Sequence, residues 1–218
     1  QIGLHAPSQS LVLFPPHDNP VSVRRRILEA TRILIRKHGC AGFSMGGVAR
    51  KSGLSRRTVY NQFEDRDALC RTSRHELLEA FEQDLPREIG REIELRTGLE
   101  QFFIKALSAL ASTEHRELRE SVLRDGHVAP WLEQLYQSRV VRPLILAVEH
   151  FLLTRQLFGD EGQGRPHERA VQCLDMLMAT VSGDDKDTVF SPHELVGVFV
   201  SRLTEAHRLE QAGGHPRI

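Results

Sequence analysis

Apolar side chains recur along most of this chain at the three- and four-residue spacing of an amphipathic α-helix. Ile27, Ala30 and Ile35 belong to the first such stripe, and no segment alternates apolar and polar residues with the two-residue period of a β-strand. Ser22 is the expected N-cap of this first helix, and Gly39 is its expected C-terminal stop. The pattern therefore predicts an all-α fold.

Three further helices are expected to follow closely. Ser44 is a suitable N-cap for the second, which Gly53 would end, and Ser55 is a suitable N-cap for the third. The third helix should run to about Phe63, and Asp65 is the expected N-cap of the fourth. Two short helices separated by a glycine-containing turn form a helix-turn-helix arrangement.

The rest of the chain also carries helical patterns. Residues 97–100 have the spacing of a capping box, and residues 191–194 add a proline at the first helical position. Pro143 is expected to kink or divide a long apolar segment. The predicted helices are residues 97–111, 114–124, 129–158, 167–181 and 192–209, with a loop at residues 159–166.

Charge divides the chain into a basic part and an acidic part, although the net charge of the whole is zero. Residues 21–74 contain thirteen Lys or Arg and four Asp or Glu, a net charge of +9, whereas residues 75–218 have a net charge of −8. A compact basic segment is typical of proteins that bind a polyanion, most often nucleic acid. The alternative is an ordinary solvated charged surface.

Composition indicates a cytoplasmic protein. No apolar run approaches the 18 residues that a membrane-spanning helix needs, and residues 11–14 are too short an apolar stretch for a signal peptide. The three cysteines are odd in number and far apart, which argues against a disulfide scaffold and fits a reducing compartment.

The third predicted helix has a division of faces that suits DNA binding. At about 100° per residue, Val59 and Phe63 share one edge, which would pack on Val48 and Ala49. Arginine and asparagine side chains can form bidentate hydrogen bonds with guanine and adenine; an ordinary amphipathic helix with polar residues outside is the alternative. The opposite face and its flanks carry Arg56, Arg57, Thr58, Tyr60 and Asn61.

Several short motifs occur in a fixed order around this helix. They are the helix Ile27–Ile35, His38-Gly39-Cys40-Ala41-Gly42-Phe43-Ser44, Val48-Ala49, Gly53-Leu54-Ser55, Thr58-Val59-Tyr60, Phe63 and Arg66-Asp67-Ala68-Leu69. Over about 50 residues, this combination resembles the TetR family of bacterial transcription regulators. The remainder of the chain resembles the family only in the number and length of its helices.

The resemblance implies roles for individual residues. Ser44 would cap the second helix and contact a phosphate, and Tyr60 and Arg66 would each bind another phosphate. The family usually has Lys where Arg66 stands, so this departure keeps the charge. The residues expected to face the major groove are Arg56, Arg57, Thr58 and Asn61, with Gln62 beside them.

Gly46 and Gly47 are a second departure from the family pattern. Each glycine inside a helix costs about 1 kcal/mol relative to alanine. We therefore expect the second helix to start late or to fray in the absence of DNA.

The acidic part is expected to bind an effector and to dimerise, because this is what the resemblance implies for the C-terminal helices. The expected division is a loose N-terminal arm at 1–20, a helix-turn-helix domain at 21–68, an effector-binding and dimerisation domain at 69–210 and a loose tail at 211–218. An apolar lining would favour an apolar or aromatic ligand, although each aromatic could simply fill the core. Candidate pocket residues are Phe102, Phe103, Trp131, Tyr136, His150 and Phe151.

The apolar stripes of the last two helices are the candidate dimer face, and the alternative is that they build the chain's own core. A homodimer would match a palindromic operator, because each recognition helix meets one half-site. The residues assigned to this face are Val171, Leu174, Met178, Leu195, Phe199 and Arg202.

The sequence thus predicts a dimeric, ligand-responsive DNA-binding regulator, most simply a repressor that a small-molecule effector releases from its operator. The alternatives are a helical enzyme that docks on nucleic acid and an architectural DNA-binding protein without an effector. No catalytic motif and no His or Cys spacing typical of a metal site is present, so no enzyme activity, cofactor or metal is expected. Cys40 could report oxidation, but a buried structural thiol is the favoured interpretation.

Overall fold

A computed structural model describes residues 19–155, 165–182 and 191–212. Every regular element within these ranges is helical, which confirms the predicted fold class. The helices are α1 (Pro20–Gly42), α2 (Met45–Ser52), α3 (Arg56–Gln62), α4 (Arg66–Glu82), α5 (Leu95–Leu110), α6 (Thr113–Asp125), α7 (Pro130–Tyr136), α8 (Arg142–Thr154), α9 (Arg165–Ser182) and α10 (Pro192–Ala212).

The first three helices share one small apolar core. Ile27 and Ile35 of α1 meet Val48 of α2 and Val59 of α3, and all four side chains are fully buried. Phe63 is also buried, so the apolar edge predicted for α3 is confirmed. The polar side of α3 consequently faces away from the protein.

Side-chain caps at three of the predicted positions define the ends of α2, α3 and α4. The side-chain oxygens of Ser44, Ser55 and Asp65 accept hydrogen bonds from backbone N–H groups at 3.1, 3.0 and 2.7 Å. Because the Ser44 cap is followed directly by Met45, the first residue of α2, the expectation of a late start for this helix is wrong.

Helix α1 differs from the prediction at its start. Its N-cap is Asn19, whose Oδ1 accepts a hydrogen bond from the Val21 N–H, and Ser22 lies inside the first turn. Pro20 explains the shift, because proline fits the first helical position, where no N–H is needed. At the other end, Gly39 leaves helical geometry with φ 77° and ψ 173° and divides α1 into two helical segments, so the first segment stops where the sequence predicted.

Helix α5 begins two residues before its predicted capping residue. Glu94 is the N-cap, and its carboxylate accepts hydrogen bonds from the N–H groups of Arg96 and Thr97 at 2.9 and 2.8 Å. A carboxylate at the N-cap satisfies two free N–H groups at once and interacts favourably with the helix dipole. Thr97 is therefore part of the first turn.

The long apolar segment after residue 129 is divided, as expected, near Pro143. Helices α7 and α8 are joined by a π-helical turn, Gln137–Val141, which falls where the ring nitrogen of Pro143 cannot donate to a carbonyl one turn earlier. The predicted end at residue 158 and most of the predicted loop lie outside the described residues. At the start of α10, Ser191 and Glu194 form the predicted capping box, with hydrogen bonds of 2.7 and 3.3 Å.

Helix α6 joins the N-terminal helices to the rest of the protein through charged side chains. Glu117 of α6 pairs with Arg32 of α1 at 3.0 Å and with Arg74 of α4 at 3.6 Å. Arg74 is fully buried and also donates a hydrogen bond to the Ser121 hydroxyl at 3.0 Å. These contacts fix α1 and α4 against one face of α6.

The last turn of α6 holds the kinked end of α1. Asp125 Oδ2 accepts a hydrogen bond from the Cys40 N–H at 3.1 Å, and Arg124 donates to the carbonyl of Ile35 at 2.9 Å. Burial opposes ionisation of Asp125, but the hydrogen bonds from Arg124 and the Cys40 N–H hold its pKa below the ordinary value. The carboxylate is therefore charged at neutral pH and anchors the α1 backbone.

Replacing Gly39 by alanine should destabilise the protein by about 1–3 kcal/mol, because only glycine adopts this backbone conformation without strain. A Cβ at this position would also lie 2.6 Å from Asp125 Oδ1. Gly197→Ala is the matched control, since its Cβ would meet only Arg96 Nη2 at 3.7 Å and alanine favours a helix. Urea unfolding that shows Gly39→Ala to be as stable as the control would contradict the close contact.

Candidate functional site

One face of α3 forms a polar ridge that points away from the protein. Arg56, Arg57, Tyr60 and Asn61 are exposed, and Tyr60 retains 54% of its accessible surface. Among the described residues, Arg57 makes no hydrogen bond or ion pair. A ridge with guanidinium, amide and phenol groups offers donors to bases and phosphates.

Two of the predicted contacts lie at the edges of this ridge. Thr58 and Gln62 are half-buried, and the Thr58 hydroxyl is 2.8 Å from the Ser55 hydroxyl. Ser44 is exposed, and because its Oγ accepts the helix-capping bond, its hydroxyl proton is left to donate. Contact of these residues with DNA stays a prediction.

Arg66 is engaged within the protein rather than extended into solvent. Its Nη1 donates to the Ala41 carbonyl at 2.9 Å, and its Nε and Nη2 lie 3.4 and 3.3 Å from Asp67 Oδ1. The guanidinium therefore ties the start of α4 to the end of α1. To bind a phosphate, it would exchange the exposed Asp67 carboxylate for the new anion.

The structure explains one of the two glycines in α2. A Cβ on Gly46 would lie 3.1 Å from Nη2 and 3.2 Å from Nε of Arg56. The missing side chain thus lets the Arg56 guanidinium lie across the start of α2, which places α3 close against it.

Two arginines of α1 have roles that sequence reasoning missed. The Arg24 guanidinium lies over the Phe63 ring at 4.6 Å, a cation–π contact, and Arg26 donates to the Ser52 carbonyl at 2.9 Å. Both hold α1 against the ends of α2 and α3. In the sequence they contribute only positive charge, because neither partner lies within one helical turn.

Comparison with known families identifies this arrangement. Residues 27–71 match the model of "Bacterial regulatory proteins, tetR family", a range that includes the helix-turn-helix and its ridge. The helix-turn-helix part of the chain therefore matches the TetR family. This match favours a DNA-binding regulator over the alternative of a helical enzyme. No curated protein sequence matches the chain.

Solved structures share the fold over most of the chain. The flavonoid-responsive regulator FrrA is 18% identical, with a TM-score of 0.62, and covers 84% of this chain and 96% of its own. A TetR-family regulator from Pseudomonas syringae pv. tomato is 19% identical, with a TM-score of 0.54 and coverages of 84% and 93%. SmeT in complex with triclosan is 19% identical, with a TM-score of 0.56 and coverages of 85% and 91%. At these identities the similarity shows the fold.

The C-terminal part of the chain contains a half-open cavity of about 540 Å³. Its walls come from the end of α5, the start of α6, the end of α9 and the start of α10. Ile104 and Leu107 contribute apolar surface, and Arg116 and Arg119 contribute polar surface. The volume lies within the range of small-molecule sites, roughly 300–1,000 Å³.

None of the six predicted pocket residues lines this cavity. Trp131 is half-buried, with the Arg71 guanidinium 4.5 Å from its ring centroid, and His150 is exposed, with Nε2 accepting from Arg91 at 3.4 Å. Contact with a ligand stays a prediction for all six. The other four, Phe102, Phe103, Tyr136 and Phe151, are buried in the core.

The predicted dimer residues divide by burial. Leu174, Leu195 and Phe199 are buried within the chain, and the Phe199 ring lies 6.2 Å from that of Phe103. These three side chains build the chain's own core, which was the alternative interpretation. Val171 and Met178 are half-buried and Arg202 is exposed, so only these three retain surface that a second subunit could cover.

A buried histidine–tyrosine pair stands behind the cavity wall. The fully buried His115 donates from Nδ1 to the Leu110 carbonyl at 2.6 Å, and its Nε2 accepts from the Tyr136 hydroxyl at 2.9 Å. Burial lowers the pKa of His115 and raises the pKa of Tyr136 to about 12. Both groups are therefore neutral at pH 7, and they link α5, α6 and α7.

The lowered pKa of His115 should make stability depend on pH. Between the folded pKa and the ordinary value near 6.5, the unfolded chain binds a proton that the folded chain does not. The free energy of unfolding should therefore fall as the pH is lowered from about 7 to about 5. Urea unfolding across this range should show a smaller loss for His115→Gln, and equal losses in both proteins would contradict the assignment.

The Cys40 thiol fits a structural role. Cys40, Cys70 and Cys173 are free and buried, and a hydrogen bond with the Cys70 side chain, together with burial, raises the pKa of the Cys40 thiol. Reactive cysteines have the opposite shift. Among the described residues, no group of three or more His, Cys, Asp or Glu could hold a metal ion. Within the same ranges, none of the helices has the length and apolar character required to span a bilayer.

Proposed function

We propose that this chain is a dimeric repressor that binds a two-fold symmetric operator through α3 and leaves it when a small molecule binds in the C-terminal part. The exposed ridge of α3 carries the proposal. Arg57 and Asn61 are exposed, whereas Val59 on the opposite edge of α3 is buried and holds the helix against the protein. The two polar side chains are therefore directed outwards, where they can enter a groove of DNA. The basic segment around it supplies attraction to phosphates.

Helix α6 supports control by a ligand. At about 100° per residue, Arg116 and Arg119 point to one side of α6, towards the cavity. Glu117 and Ser121 point to the other side, where they bind arginines of α1 and α4. A ligand that shifts or rotates α6 would therefore act directly on the helices that position α3, which is the differential contact that allosteric control requires.

Relatives of the same fold support a small-molecule effector. FrrA is described as flavonoid-responsive, and SmeT was solved with triclosan. An architectural DNA-binding protein without an effector would need no cavity of this size, so the cavity also favours a regulator over that alternative.

Exposed surface on the last two helices supports dimerisation. Val198 of α10 is 39% exposed, and Arg202 lies one turn further along. Together with the half-buried Val171 and Met178 of α9, they form the surface that we assign to the partner subunit. In this assembly each α3 would meet one half-site of the operator. Localisation to the cytoplasm belongs to the same proposal.

Footprinting of the DNA upstream of the protein's own gene tests the proposal. A dimeric repressor should protect two related half-sites whose centres are about one helical turn apart or a multiple of it. Sedimentation of the protein with that DNA should give two chains per site. Protection that spreads without symmetry over any sequence would instead support the architectural alternative.

A further inference from the structure

The cavity between α5, α6, α9 and α10 carries two arginines on one wall. Arg116 and Arg119 are three residues apart on α6, so their side chains lie on the same side of the helix. Arg119 is half-buried and Arg116 is exposed. Within the ranges that the structure describes, neither guanidinium makes a hydrogen bond or an ion pair. Two neighbouring cations therefore have donors available to a ligand.

Among the residues that the structure describes, the other walls of the cavity carry no acid. Of the twelve described residues that line it, two are arginines and none is Asp or Glu. Because opposite charges are needed to make burial of an ionised group favourable, this composition disfavours a cationic ligand. A neutral ligand would also leave the two guanidinium groups without a partner.

Much of the remaining lining is apolar, and Ser108, Thr180 and Ser191 add hydroxyl groups. The apolar side chains include Ile104 and Leu107 of α5, Val181 of α9 and Pro192 of α10. Ile104 is 50% exposed, so apolar surface is accessible to a ligand. The lining therefore combines two cations with apolar surface.

We infer that this cavity binds an organic anion, a molecule with one anionic head that pairs with Arg116 and Arg119 and an apolar body that lies against Ile104, Leu107 and Val181. The inference rests on the proposal that this cavity is the effector site, and it gives the chemical class of that effector. Arginine suits the head group, because its planar donors form paired hydrogen bonds with a carboxylate or a sulfonate. The inference narrows the ligand class expected from the sequence, an apolar or aromatic molecule, to organic acids.

Calorimetric titration with matched probes tests the charge requirement. The probes are 2-naphthoate and dodecanoate as acids, 8-anilino-1-naphthalenesulfonate as a sulfonate, and 2-naphthalenemethanol as the uncharged counterpart of the first. Because hydrogen bonds to charged groups are strong, 2-naphthoate should bind the full chain roughly tenfold or more tightly than the alcohol. Equal binding of the two would overturn the inference, as would absence of binding by all three anions up to millimolar concentration.

Substitutions test whether the acid binds at the two arginines. The double variant Arg116→Gln/Arg119→Gln should lose the preference for the acid while binding the alcohol as before. Arg142→Gln, at an exposed position on α8 outside the cavity, is the matched control and should keep the preference. Thermal unfolding of each variant confirms that it is folded. A double variant that retains the preference would overturn the inference, and the ranking of carboxylates against the sulfonate identifies the head group.

These titrations contain no DNA, so their outcome is independent of operator binding. If the acid binds through the two arginines but leaves operator affinity unchanged, the organic-anion site stands and the proposed ligand control fails. If the acid does not bind while another compound releases the operator, the regulator stands and the organic-anion site fails.

Discussion

Replacement of Arg57 by alanine should weaken the protein's preference for its operator over random DNA. Arg57 is exposed on α3 and makes no hydrogen bond or ion pair within the described part of the chain, so the substitution should leave the fold intact. A bidentate contact between arginine and a base contributes about 1–3 kcal/mol of discrimination, which corresponds to a loss of roughly fivefold to more than one hundredfold in specific affinity. Fluorescence anisotropy with operator and random duplexes measures both affinities.

Arg66→Ala is the matched comparison, because it also removes one arginine from the basic segment. It should weaken binding to operator and random DNA alike. It should also reduce the slope of log affinity against log salt concentration by about one. Since Arg66 also donates to the Ala41 carbonyl, the thermal stability of this variant should be measured alongside. Equal losses on the two duplexes from Arg57→Ala would contradict base recognition by this side chain.

Replacement of Glu117 by alanine should destabilise the protein by about 3–5 kcal/mol, because it leaves the Arg74 guanidinium buried without its carboxylate. Arg74 has no accessible surface, and burial already lowers its pKa while the charge of Glu117 acts to restore it. Without Glu117, Arg32 also loses its ion pair across the same junction. Equilibrium unfolding in urea gives the difference in free energy.

Glu120→Ala, on the exposed side of the same helix, is the control for Glu117→Ala and should change stability by no more than about 0.5 kcal/mol. A double variant, Arg74→Met/Glu117→Leu, should recover much of the loss, because apolar residues of similar size can replace a buried ion pair. If Glu117→Ala and Glu120→Ala unfold at the same urea concentration, the buried pair does not hold the junction.

Local signals in the sequence were sufficient for the helix-turn-helix. The positions of Val59 and Phe63 on one edge of α3, and the caps at Ser44 and Asp65, depend on residues within one or two turns of each other. Such short-range patterns survive in the folded protein because no distant contact competes with them. Where a better local partner was available, the observed N-cap lies three residues before the predicted one, as with Asn19 in place of Ser22 and Glu94 in place of Thr97.

The cavity could not be located in the same way. Helical periodicity marks Phe102 and Phe103 as inward-facing, and they are buried, but it does not say whether space remains in front of a side chain. Ile104 and Leu107 line the cavity because the end of α9 and the start of α10 lie near α5 at that level, about eighty residues further along the chain. Gaps of this kind depend on how distant helices pack, which a single periodic pattern does not encode.

The contact between Gly39 and Asp125 has a consequence for protein engineering. DNA-binding domains can be exchanged between regulators to change which genes they control. A junction just before α4 would transfer the complete helix-turn-helix. In this protein such a graft would take Gly39 and Asp125 from different proteins, because the two residues lie on opposite sides of the junction although they are in contact. A donor DNA-binding domain with a side chain at the position of Gly39 would clash with Asp125. A working chimera must therefore carry Gly39 and Asp125 together.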